Sequence, residues 1–206
     1  MSTNNFTTDY SECWSRFLAG DRWALDTIVR EHFNLLYNYG RKFTHDAALV
    51  KDCIQDLFLT LWKNRENLGY TSSVRNYLMK SLRRRLERAI PQQTIYNSEN
   101  IEFLSFNPLE ESPVFTAMEA EENQTTLNKK IVEALTTLSK RQQEIIYLRF
   151  YLEADATEIA QIMGLNKQSV YNLQQQAIAR LREVTDTLFQ PNSVAFSALL
   201  LFVSMP

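Results

Sequence analysis

Three carboxamide side chains, Gln168, Asn172 and Gln175, recur at intervals of four and three residues in the stretch EIAQIMGLNKQSVYNLQQQ. On a helix, that spacing sets them in one row. Each amide carries a donor beside an acceptor, the combination that matches the major-groove edge of adenine. Tyr171 lies beside the row and Lys167 precedes it. A second constellation is cationic. In SVRNYLMKSLRRRLERAI, Lys80, Arg83, Arg84 and Arg88 repeat at helical intervals, flanked by Arg75 and Arg85 and offset only by Glu87. Such a stripe can bind phosphate, and Tyr77 near its start could stack on a base. A third set mixes acidic and apolar groups. Asp52, Gln55, Asp56 and Leu59 fall at i, i+3, i+4 and i+7, with Trp62 at the border. Leu and Trp exposed among carboxylates suit a protein partner. Each set has a plainer alternative: a structural helical hairpin, a soluble basic helix, and a solvated acidic face.

Other chemistry finds little support. The sequence has no glycine-rich phosphate loop and no paired catalytic His or Cys, so neither an enzyme nor a small-molecule substrate is expected. Cys13 and Cys53 stand apart from each other and from any histidine, and read as buried free thiols. His32 and His45 form no ligand set, so no metal or cofactor is expected. A net charge of −2 over 206 residues advertises no general affinity for nucleic acid, which must then come from local patches.

The elements that must carry these residues are helices throughout. Four glycines, five prolines and an apolar fraction of 45% predict an all-α chain with packed cores. Residues 10–90 read as consecutive amphipathic helices. Gly20 and Asp21 supply a stop and an N-cap, followed by a wide apolar stripe containing Leu25, Ile28, Val29, Leu35, Leu36, Tyr39 and Phe43. Val50, Cys53, Ile54, Leu57, Phe58 and Leu61 form the buried stripe of the next helix. Val74, Leu78, Leu82, Leu86 and Ile90 do so for the basic one, with the cations placed opposite.

Residues 91–124 are broken by Pro91, Pro108 and Pro113 and carry seven glutamates without one Lys or Arg. They read as an acidic linker that stays extended. Helical periodicity returns over 125–188. There Ile159, Met163, Leu165, Val170 and Leu173 fall where two short helices must pack, Ala160 is small at their crossing, and Gly164 can take the positive φ of the turn. Asn166 or Ser169 can cap the second helix, and Val170, Leu173 and Ala177 face inward. The closing segment, 189–206, holds the apolar run VAFSALLLFVS, about half the ~20 residues of a membrane span. It could dock on the protein's own surface, on a partner or transiently on lipid, self-docking being the simplest use. The N-terminus lacks the basic and apolar parts of a secretory signal, so a cytoplasmic protein is expected.

In this order the parts resemble an extracytoplasmic-function (ECF) sigma factor of bacterial RNA polymerase, over residues 14–185. GDRWALDTIVREHF is similar to the opening helix of the family's region 2, and DCIQDLFLTLW to its polymerase-binding motif. VRNYLMKSLRRRL resembles the helix that recognises and melts the −10 element, and ALTTLSKRQQEIIYLRF with the helix-turn-helix resembles region 4, which reads the −35 element. The resemblance implies two small helical domains, core polymerase and promoter DNA as partners, and leaves an anti-sigma factor open as a third. By it, Asp52, Gln55, Asp56, Leu59 and Trp62 would meet polymerase. Tyr77, Lys80, Arg83, Arg84 and Arg88 would meet the −10 element, and Lys167, Gln168, Tyr171, Asn172 and Gln175 the −35 element. Arg84 and Arg88 stand where the family often has Asn and Asp, and Tyr171, Leu173 and Gln176 where it often has Lys or Arg. A free-standing helix-turn-helix regulator is the competing reading.

Overall fold

The computed structural model describes residues 10–90, 103 and 133–188. They are helical, without a strand among the described residues, and fall into two compact units. The acidic segment apart from Phe103, and the apolar tail, lie outside the described residues.

The first unit contains α1 (Tyr10–Leu18), α2 (Arg22–Gly40), α3 (Ala47–Lys63), a 3-10 turn (Arg65–Asn67) and α4 (Val74–Ala89). Side-chain caps set its boundaries. Gly20 turns the chain with φ 91°, which costs a residue without Cβ little. Asp21 then accepts from the backbone N–H of Trp23 and Ala24 and also pairs with Arg16. Its carboxyl is held below the ordinary range, first by the Arg16 hydrogen bond and then by the Trp23 N–H. Asp46 caps α3 through Ala48 and Leu49, and Ser73 caps α4 through Asn76.

Helices α2, α3 and α4 pack on one another, and α1 lies mainly against α2. Their shared core holds Trp14, Phe17, Ile28, Leu36, Tyr39, Val50, Ile54, Leu57, Leu78, Met79, Leu82 and Leu86. Trp14 donates its ring N–H to the Gly69 carbonyl at 3.1 Å, tying α1 to the loop that introduces α4. Gly40 marks the tightest crossing. A Cβ there would lie 2.7 Å from Val50 Cγ1, closer than carbon atoms pack.

In the second unit, residues 133–136 are helical and α5 (Lys140–Ile146) opens with a reciprocal capping box between Ser139 and Gln142. It runs into a π-helical turn, Tyr147–Tyr151. Next come α6 (Ala156–Met163), boxed by Asp155 and Glu158, and α7 (Lys167–Leu188), which packs on α5. Gly164 has φ 68°, the left-handed value a short helix-turn-helix requires, and Asn166 caps α7 by accepting from the Ser169 N–H at 2.7 Å. Ile159, Ala160, Met163, Val170 and Ala177 are buried, while Leu165 and Leu173 are half-buried at the seam.

The acidic segment was expected to stay extended; of its residues the structure describes Phe103, which is 1% exposed. Its ring centroid lies 5.8 Å from that of Tyr147. Local charge and prolines describe the segment's average solvation, not what an individual aromatic side chain such as Phe103 does.

Candidate functional site

On α3, Asp52, Gln55 and Asp56 are exposed and Leu59 is 49% exposed, although it is a large aliphatic side chain. Trp62 is half-buried and held from several sides. The Arg65 guanidinium lies 4.5 Å from its ring centroid, the Arg22 guanidinium 6.0 Å, and the Phe17 ring 6.4 Å. Beside this face a groove of about 570 Å³ runs between α2 and α3. Leu25, Val29 and Phe33 form one wall, and Ile54, Phe58, Leu59 and Trp62 the other. Arg22, Lys51 and Gln55 stand at its margin.

Leu25 and Val29 belong to the wide apolar stripe of α2. Both are half-buried, on the groove wall. The available signal was the width of the α2 stripe, since Leu25, Val29 and Phe33 recur every four residues beside a separate fully buried set. A stripe broader than one packing seam leaves an apolar edge uncovered.

On α4, Arg84 and Arg88 are exposed and Lys80 is half-buried, on the side away from Leu78, Leu82 and Leu86. Arg83 departs from expectation. It is 6% exposed and its guanidinium pairs with Glu87, one turn on. Successive residues are ~100° apart on a helix, so Arg83 sits at the flank of the Leu82 row rather than opposite it. Met79, one turn earlier, is fully buried and widens the same face. Tyr77 is half-buried, with its ring 5.5 Å from that of Trp14, so part of its surface is already occupied.

On α7, Lys167, Gln168, Asn172 and Gln175 are exposed, and Tyr171 is 50% exposed beside them. Gln168 Nε2 donates to Asn172 Oδ1 at 3.0 Å. The bond leaves the Gln168 oxygen and the Asn172 amino group as a neighbouring acceptor and donor. Together they offer adenine the complement of its N6 donor and N7 acceptor. Arg180 is engaged with Glu183 at 3.0 Å, so Lys167 is the cation nearest the row on this helix. Asp155, whose carboxyl is lowered chiefly by the Glu158 N–H, also feels Lys167.

The thiols and imidazole read as structural elements. Burial pushes both Cys13 and Cys53 upward, away from the reactive thiolate. His32 is buried with Nδ1 2.9 Å from the Ile28 carbonyl, and burial lowers its pKa. Among the described residues, no cluster of three His, Cys, Asp or Glu could hold a metal, and no helix is long and apolar enough to cross a membrane.

Two family models match the chain: Sigma-70 region 2 over residues 28–94 and Sigma-70, region 4 over 134–183. The chain belongs to the sigma-70 family. That family consists of transcription initiation factors. Among curated relatives, the ECF RNA polymerase sigma factor SigG of Mycobacterium tuberculosis is 28% identical over 171 residues. That match covers 72% of this chain but 45% of SigG, so the chain spans less than half of that relative. RNA polymerase sigma factor NccH of Alcaligenes xylosoxydans xylosoxydans is 25% identical over 186 residues, covering 87% of this chain and 94% of NccH. Among solved structures, CnrH in complex with the cytosolic domain of CnrY has a TM-score of 0.57 at 17% identity. It covers 87% of this chain and 99% of CnrH, a likeness of fold. In this sigma factor the α3 face and the α4 cations fall in the region 2 match, and the α7 amide row falls in the region 4 match.

Proposed function

We propose that this chain docks on core RNA polymerase through the α3 face and the adjoining groove, and directs the enzyme to promoters. Asp52, Gln55, Asp56, Leu59 and Trp62 meet polymerase. Lys80, Arg84 and Arg88 meet DNA near the −10 element with Tyr77 beside them, and Lys167, Gln168, Tyr171, Asn172 and Gln175 meet the −35 element. Arg83 steadies α4 through Glu87 instead of gripping phosphate. The observation that carries this reading is the coexistence, in one helical unit, of an open apolar groove bordered by exposed Leu59 and an exposed cationic row on another helix. An apolar groove suits a protein partner, and exposed arginines suit phosphate.

The scarcity of cations on α7 fits this division of labour. A domain tethered beside its site by polymerase works at high effective concentration and tolerates weak intrinsic contacts. An anti-sigma factor that seats in the same groove would act by competition. The test is comigration of the pure full chain with core polymerase, followed by run-off transcription from a promoter library. A folded chain that neither comigrates nor initiates overturns the proposal. Tight binding to a palindromic operator without polymerase would instead support a free-standing regulator.

A further inference from the structure

Trp14 has no exposed surface, yet it meets the chain twice at the entrance to α4. Its indole N–H donates to the Gly69 carbonyl at 3.1 Å. Its ring lies 5.5 Å from that of Tyr77, tilted by 58°. One side chain of α1 therefore holds residues 69 and 77 together and closes the segment between them into a bracket. A buried indole N–H needs a partner, so the bond fixes the loop while the ring packing fixes the first turn of the helix.

Within the bracket, local bonds pass the constraint from loop to helix. The Thr71 hydroxyl donates to the Ser73 carbonyl at 3.2 Å and accepts from the Ser73 N–H at 3.3 Å. Ser73 in turn caps α4. Its hydroxyl accepts from the Asn76 N–H at 3.3 Å, and its carbonyl accepts from the Tyr77 N–H at 3.1 Å. Tyr77 is thus fixed along its backbone by Ser73 and at its ring by Trp14. It is half-buried, so this seating leaves part of its surface open. Trp14 is itself braced: Phe17 packs 5.0 Å away, and Phe17 lies 6.4 Å from Trp62. The bracket therefore stands on the aromatic core of the unit and not only on the bonds of the loop.

Resting on the proposed −10 role of Tyr77, we propose that Trp14 is a positioning residue for promoter opening. It holds the loop at 68–73 and the Tyr77 ring in the pose from which Tyr77 stacks on an unpaired base. Being fully buried, Trp14 touches neither DNA nor polymerase in this role. A stacking platform works through its orientation, because ring and base attract only when their faces meet. A tyrosine free to swing meets the base in a fraction of its rotamers, and the apparent affinity falls by that fraction. Trp14→Phe tests this with little damage. It keeps an aromatic ring in the core and removes the donor to Gly69, whose exposed position lets water take the freed carbonyl.

The experiment compares full chains, each assembled with core polymerase, for permanganate reactivity around the −10 element. Trp14→Phe should lower the opening equilibrium by ~5-fold or more, the low end of a base–aromatic stack, while polymerase Kd stays within about twofold. In a Tyr77→Ala background the same change should cost less than about twofold more, because the ring it positions is gone. A general weakening of the fold would instead multiply in full. Val50→Ala, fully buried beside Gly40, is the stability control and should lower the melting temperature without an opening defect. Thr71→Ala loosens the same loop from a half-buried position and should reproduce the defect in part, which decides the matter if Trp14→Phe folds poorly. Wild-type opening in a folded Trp14→Phe chain, or in Thr71→Ala where that variant decides, overturns the proposal. So does an equal defect in Val50→Ala, or full additivity with Tyr77→Ala, since either marks Trp14 as core packing alone. If Tyr77→Ala opens promoters like wild type, the −10 role of Tyr77 has failed and takes the positioning role with it. An impaired Tyr77→Ala beside an unimpaired Trp14→Phe refutes the positioning role alone, so the two failures are distinguishable.

Discussion

Leu59→Ala isolates the proposed polymerase contact with the least damage to the fold. Complete burial of a leucine side chain stabilises by ~1.5–3 kcal/mol relative to full exposure. Leu59 is 49% exposed in the free chain, so about half of that term is still available to a partner. Docking would then draw ~0.8–1.5 kcal/mol from this side chain, and truncation should weaken polymerase binding by ~4–12-fold. Trp62 is a poorer probe. It touches Phe17 and Arg65 within its own unit, and its removal would confuse folding with binding. The measurement is the Kd of fluorescently labelled full chain for core polymerase, with circular dichroism and a thermal melt confirming that the variant is folded. Thr60→Ala, one residue along the same helix and exposed, is the companion control and should change Kd less than twofold. A folded Leu59→Ala chain that binds polymerase within twofold of wild type would refute the argument that the exposed half of Leu59 is reserved for this partner.

Arg84→Ala should leave polymerase assembly intact, reduce promoter opening measured by permanganate reactivity, and lower the salt slope of promoter binding by ~0.9 for the phosphate lost. Arg83→Ala should do the converse, destabilising the chain by ~1–3 kcal/mol in urea because Glu87 loses a largely buried partner. Asn172→Ala should change which −35 sequences support run-off transcription while leaving polymerase Kd unchanged, with ~1–3 kcal/mol of base discrimination at stake. The pH prediction follows from His32: burial depresses its folded pKa, so the unfolded chain takes up the proton more readily. Its contribution is fully present above the ordinary histidine pKa and is lost as pH falls through it toward the depressed value. The urea midpoint should therefore drop between pH 7.5 and 5.5, and His32→Gln should flatten that drop.

The features legible in the sequence are those whose cause is local. Asp21 caps because a short carboxylate can reach the N–H groups of the next turn, and Gly164 is needed because the turn demands positive φ. The buried face of α4 follows from leucines at four-residue intervals. What sequence could not show depends on neighbours supplied by the tertiary structure. Arg83 looks like its cationic neighbours until Met79 and Leu86 define how wide the buried face is. Leu25 and Val29 look like core until α3 is seen to leave the α2 edge open. Phe103 has no periodic signal of any kind, and its partner Tyr147 is forty-four residues away.

The hydrogen bond between Gln168 and Asn172 bears on how such a protein can change its preferences over generations. Each amide restricts the rotamers of the other, so in the proposed −35 role the pair would act as one letter of recognition written with two codons. A substitution at either position disturbs the side chain that remains as well as the one replaced, and the two effects will not add. Drift toward a new target must then pass through a half-changed pair that matches neither the old base nor the new one well.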